Sequence, residues 1–114
     1  MSARNDQSLS PAKLRILLAL AGKELHGYRI IKEVAEMSDG QFTLGPGTLY
    51  DNLQKLMDDG LVQDLGHREG DDDPRRRYYK LSVSGHKAVT VEVSRLEDLV
   101  VKARLRLRKS GRAR

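Results

Sequence analysis

The chain has 114 residues and no cysteine, which leaves room for one domain with a modest core and excludes disulfides and thiolate metal sites. Its net charge of +5 is unevenly held: residues 102–114 carry seven cations and no acid, whereas residues 1–100 carry 14 cations against 16 acids. The folded part is therefore not globally basic, so a case for nucleic acid must rest on where charges sit.

Residues 1–9 are polar and aperiodic and read as a mobile arm. Ser10 and Pro11 then open a first helix as cap and first residue, which is expected to run to Ala21 with Gly22 beyond it. Leu14, Leu17, Leu18 and Ala21 make one apolar face and Ile16 with Leu20 a second, so burial on two sides is expected, in the chain's own core and against a partner subunit. The longest apolar run, Ile16 to Ala21, is too short to span a membrane, and no charged-then-apolar signal opens the chain. A cytoplasmic protein is expected. A turn from Gly22 to Leu25 leads to a second helix from His26 to Met37, with Tyr28, Ile31, Val34 and Ala35 on its inner stripe. Gln41–Leu44 alternates like a short strand, with Phe42 and Leu44 inward, and is expected to join a later hairpin in a small sheet.

The stretch GPGTLYDNLQKLMDDGLV, residues 45–62, carries a helix marked at both ends: Pro46 tolerates the first position and Gly60 suits a left-handed terminus. Leu49, Leu53, Leu56 and Met57 form the inner stripe of this Pro46–Asp59 helix. Its other face presents Gly47, Thr48, Tyr50, Asp51, Gln54 and Lys55, short, aromatic and hydrogen-bonding groups gathered in the first turns, as in a helix that meets base edges. The same face could equally meet solvent.

A strand over Leu61–Leu65, a polar loop and a strand over Arg75–Leu81 follow in hairpin order. Alternation turns Tyr79 and Leu81 inward and Tyr78 and Lys80 outward. Arg75, Arg76 and Arg77 sit where the base of a wing meets phosphates, a role that suits their planar fork. They could instead pair with the loop acids Glu69, Asp71, Asp72 and Asp73. Three adjacent aspartates are repelled by DNA, so the base of the wing and not its tip is expected to touch the backbone. The fold expected is mainly α with a small β-hairpin wing, a winged helix-turn-helix over residues 10–82.

Ser82 caps a final helix, expected over Val83–Leu107, where Val89, Val93, Leu96, Val100, Ala103 and Leu107 recur at alternating spacings of four and three. One helix cannot bury such a heptad seam on itself. These residues, with Leu14, Leu17 and Leu18 and the flanking Leu99, Val101 and Leu105, are expected to form a homodimer interface from which a basic tail, residues 108–114, emerges.

Chemistry of other kinds is not legible. His26, His67 and His86 are scattered, Asp71–Asp73 lacks the spaced ligands of a calcium loop, and neither a nucleophilic triad nor a phosphate-binding loop signature is present. No catalytic, metal or cofactor site is expected.

The order and wording of ILLAL, HGYRIIKEV, PGTLYDNLQKLMDDGLV and RRRYYKLS resemble the PadR family of bacterial transcriptional regulators, from residue 14 to about residue 85. The single long final helix resembles its short subgroup, in which that helix forms the dimer. The resemblance implies a dimeric winged-helix repressor on a palindromic operator of double-stranded DNA, often released by a small molecule or stress signal. It places Pro46, Gly47, Thr48 and Tyr50 at the DNA-facing helix start and Arg76, Arg77 and Tyr78 on the wing. Gly45 departs from the family's usual serine, and the acidic wing tip is a second departure. Related small members hold flat aromatic ligands between tryptophans; this chain has none, which disfavours such stacking. The acidic balance of residues 1–100 keeps a second possibility open, a winged helix used to dock a protein partner.

Overall fold

Ser10 Oγ accepts the Lys13 N–H at 3.2 Å and Pro11 takes the first helical position, so α1 (Pro11–Ala19) begins where its cap residues stand. In the computed structural model, which describes residues 9–112, there follow β1 (Leu25–His26), α2 (Gly27–Met37), α3 (Pro46–Asp58), β2 (Val62–Gly66), β3 (Tyr78–Leu81) and α4 (Val83–Arg112). The expected arm over residues 1–9 lies outside the described residues except for Leu9, which packs against the core. The strands form one antiparallel sheet in the order β1-β3-β2, and the β2–β3 hairpin is the wing of a winged helix.

Helices α1, α2 and α3 converge on one core. Ile16, Leu17, Leu20, Ile30, Val34, Leu49, Leu53 and Leu56 are fully buried in it, and truncating such a leucine to alanine costs about 2–5 kcal/mol. The inner face expected of α3 is observed, with Leu49, Leu53 and Leu56 buried and Met57 half-buried. Gly60, at φ +76°, ends the helix while the Leu61 N–H donates back to the Leu56 carbonyl at 2.9 Å.

Several expectations are corrected. Gln41–Leu44 is not a strand: the Ser38 hydroxyl accepts the Phe42 N–H at 2.8 Å and lies 3.2 Å from the Phe42 carbonyl, so the backbone groups a ladder would need are satisfied locally. The third strand is Leu25–His26, paired through Leu25 with Tyr79 and His26 with Tyr78. Tyr28 is 64% exposed, because Gly27, Ile30 and Val34 form the buried stripe of α2. Helix α1 stops two residues early, at Ala19. Leu17 and Val89, expected at a subunit interface, are buried in the chain's own core, while Leu14 and Leu18 are half-buried. The basic segment from 108 continues α4 as helix through Arg112.

The start of α4 is held at two points. The Ser82 hydroxyl accepts the Gly85 N–H at 2.9 Å and donates to the Gly60 carbonyl at 2.6 Å, and the Ser82 N–H donates to Leu61 at 3.1 Å. Gly85 is buried against that same backbone: a Cβ there would stand 3.0 Å from the Leu61 carbonyl carbon and overlap its oxygen. At 30 residues and about 1.5 Å per residue, α4 is a rod about 45 Å long. Beyond Val89 it leaves the core, exposing Val93, Leu96, Leu99, Val100, Val101, Leu105 and Leu107.

Candidate nucleic-acid interface

Tyr50 of α3 and the base of the wing meet across a cleft lined by His26, Gly27, Tyr28, Tyr50, Asp73, Arg75, Arg76, Arg77 and Tyr79. Gly45 caps α3 in an extended conformation without a side-chain bond, so the backbone N–H groups of the first turn and the positive end of the helix dipole face outward there. Pro46, Gly47, Thr48, Tyr50, Asp51, Gln54 and Lys55 are all exposed on this helix. Two of them have local partners. Lys55 Nζ lies 3.2 Å from Asp51, and Gln54 donates to Asp58 at 3.0 Å. Exposed pairs of this kind are worth little and exchange readily.

Tyr50 enters the cleft because Gly27 lets it. The first residue of α2 has no side chain, and the Tyr50 ring lies in the space a Cβ would fill. His26 caps the same helix, its Nδ1 accepting the Arg29 N–H at 3.3 Å. That bond requires the neutral ring on Nδ1. Burial and the charge of Arg76 both lower the pKa of His26, with Asp71 opposing and Arg29 and Arg68 adding to the lowering. The His26 ring packs edge-on against Tyr78, centroids 5.4 Å apart, and parallel to Tyr28 at 6.5 Å. His26 and Tyr28 were not among the sequence candidates. An aromatic beside a glycine in the first turn of a helix was the available signal, and the helical spacing of Tyr28 with Ile31 and Val34 hid it.

Each wing arginine holds a carboxylate. Arg75 grips Asp73 through Nε at 3.1 Å and Nη2 at 3.2 Å, Arg76 reaches Asp71 at 3.0 Å, and Arg77 reaches Asp64 at 3.0 Å. The alternative pairing is thus realised for Arg75 and Arg76, while Arg77 uses an acid of β2. Asp71 is a structural acid: its side chain is 5% exposed, and it also accepts the Tyr78 hydroxyl at 2.6 Å and the Asp73 N–H at 3.2 Å. Tyr78, expected to face DNA, has its hydroxyl committed to Asp71 and its ring covered by the Arg68 guanidinium at 3.8 Å. The Arg75 guanidinium and backbone N–H hold Asp73 at about 2. Burial works against the charge on Asp64, yet Arg77 and the Gly66 N–H keep it below the ordinary carboxylate range.

The sequence profile described as the transcriptional regulator PadR-like family matches residues 16–91. The chain belongs to the PadR-like family. Its members are transcriptional regulators and not enzymes. Over 87 residues, 76% of this chain and 77% of the relative, the protein is 32% identical to the transcriptional regulator Rv3488 of Mycobacterium tuberculosis. A PadR family transcription regulator from Clostridium difficile superposes with a TM-score of 0.70 at 26% identity, covering 84% of this chain and 99% of that one. Bacillus subtilis PadR in complex with operator DNA superposes with a TM-score of 0.62 at 26% identity, over 71% of this chain and 45% of the other. These PadR-like neighbours share the winged helix described above. Among the described residues, no helix is long and apolar enough to cross a membrane and no group of acids and histidines is placed to hold a metal ion.

Proposed function

We propose that this PadR-like regulator binds a palindromic operator as a homodimer and represses transcription, with α3 in the major groove and the wing base on the adjacent backbone. The observation that carries the reading is the cleft itself. It brings Tyr50 of α3 and Arg75, Arg76 and Arg77 of the wing together, aromatic and guanidinium groups of the kind that groove edges and phosphates require. The solved complex of Bacillus subtilis PadR with operator DNA supports carrying this use of the fold to the present chain. In this reading Thr48 and Tyr50 meet phosphate or thymine methyl groups, Gln54 reads adenine and Lys55 reads guanine or phosphate, after their local partners release them.

The homodimer reading rests on the bare seam of α4. The exposed positions Leu96 and Val100, and Val93 with the half-buried Ala103, are each equidistant from residue 98. An antiparallel copy crossing there would therefore lay seam position on seam position. Charge favours that direction. It sets Glu92 near the partner's Arg106 and separates the two cationic ends, whereas a parallel pair would set Glu92 near the partner's Glu97 and the five cations of residues 102–109 side by side. Half-sites would then lie about 10 bp apart. Release by a small-molecule or stress signal would act through the same seam, since a rotation at Val93–Val100 changes the separation of the two reading helices.

The engagement of all three wing arginines with carboxylates favours a second reading, a docking module for a protein partner with weak DNA binding. Selection of the purified protein on a randomised duplex pool separates the two. An enriched inverted repeat supports the regulator reading, and binding without sequence preference supports the docking module.

A further inference from the structure

We propose that Asp73 is a built-in competitor for phosphate, occupying the Arg75 fork and so keeping that arginine from holding duplex DNA through backbone contacts alone. This inference rests on the DNA-binding reading above.

The geometry distinguishes Asp73 from the other wing acids. Its two carboxylate oxygens meet Nε and Nη2 of Arg75 at 3.1 and 3.2 Å, the side-by-side pairing that a guanidinium offers to two oxygens of a phosphate. The pair is open to exchange: the Arg75 side chain is 88% exposed and that of Asp73 34%. By contrast, Asp71 is almost wholly buried and spans Arg76, Tyr78 and the Asp73 N–H, so it builds the wing. Asp72, in the same loop, is exposed and holds no ion pair among the described residues. Asp73 also lines the cleft with Tyr50 and the three arginines, so its charge stands where a phosphate would enter.

Non-specific binding is supplied by phosphate neutralisation, and each neutralised phosphate adds about 0.9 to the slope of log affinity against log salt. With Asp73 in the fork, Arg75 contributes little to that slope on a random duplex. Weak phosphate affinity matters because non-specific sites outnumber an operator by roughly a millionfold or more in a genome.

The test is fluorescence anisotropy of the full chain with a random-sequence duplex and with its selected operator, from low to moderate salt. Asp73→Asn keeps the oxygen that accepts the Arg75 backbone N–H at 3.0 Å while removing the charge. It should raise affinity for the random duplex about two- to fivefold, the range of one exposed charge contact, and steepen its salt slope by about 0.9. Asp72→Asn, which removes the same charge from the same loop, should change affinity less and leave the slope alone. Arg75→Gln should cancel the whole gain that Asp73→Asn brings on the random duplex. Equal effects of Asp72→Asn and Asp73→Asn, or an Asp73→Asn variant with unchanged slope and an unchanged thermal midpoint, would overturn the proposal while leaving operator binding intact. A natural chain that binds neither duplex would overturn it together with the DNA-binding reading.

Discussion

The ring of Tyr50 lies across Gly27, so that a Cβ at position 27 would stand 2.8 Å from Tyr50 Cζ and overlap the hydroxyl beyond it. The start of α2 therefore determines where the exposed aromatic of α3 can stand. Because the atoms in the way are the free end of a half-exposed side chain, Gly27→Ala should leave the thermal midpoint within a few degrees, the ordinary range of mild substitutions. It should weaken operator binding about five- to tenfold, close to 1 kcal/mol, as expected for displacing an anchoring aromatic. In the Tyr50→Ala background the same substitution should cost almost nothing more, which a double-mutant cycle by anisotropy would read directly.

Gly85 makes the opposite case. Its neighbour is the Leu61 backbone, which cannot swing aside, so Gly85→Ala must push the start of α4 away from Leu61. The expected loss is about 1–3 kcal/mol, the usual penalty of overpacking, seen as a lowered urea midpoint. An unchanged midpoint would mean that the contact between Gly85 of α4 and the Leu61 backbone is looser than described.

How much of this was written in the sequence depended on whether the deciding partners were local. Helix α3 was legible almost to the residue, since Pro46, Gly60 and the leucine stripe each act within their own helix. The wing was legible as a hairpin, and the pairing of Arg75 and Arg76 with loop acids was one of two readings the charges allowed. The position of β1 was not legible: Leu25–His26 is too short to show alternation, and its pairing with Tyr78 and Tyr79 is long-range. Phe42 and Leu44 did alternate, but Ser38 took the Phe42 backbone first. Leu17 and Val89 looked like interface residues because an apolar stripe does not say which partner covers it. The Tyr50–Gly27 contact joins two helices and has no sequence signature of its own.

Acid should expose His26. Its proton is disfavoured in the folded chain by burial, by Arg76, Arg29 and Arg68, with Asp71 opposing, whereas the unfolded chain protonates near 6.5. A folded value below the unfolded one means that stability is complete above 6.5 and is lost as pH falls toward the folded value. His26→Asn retains a capping oxygen and removes the titration, so urea unfolding at pH 7.5 and 5.0 should show a decline in the natural chain and none from this cause in the variant. A second decline, from Asp73, belongs between 3.8 and about 2.

The antiparallel seam predicts a charge-swap pattern. Glu92→Arg, which also gives up the 2.8 Å pair with Arg95, and Arg106→Glu should each weaken the dimer, by roughly 0.2–1 kcal/mol, and together should restore it. Leu96→Glu should instead abolish dimerisation, since it sets a charge in the middle of the seam. Sedimentation across a dilution series measures both; equal dissociation of the single and double charge variants would argue for another arrangement.

The most direct test of the central claim is anisotropy titration of the selected operator and of its scrambled counterpart with the natural chain and with the Tyr50→Ala and Arg77→Ala variants. If the cleft between α3 and the wing binds DNA as described, Tyr50→Ala should weaken operator binding, and Arg77→Ala should weaken both duplexes similarly while reducing the salt slope by about 0.9. Unchanged operator affinity in both variants would contradict the account and move the DNA contact away from this face.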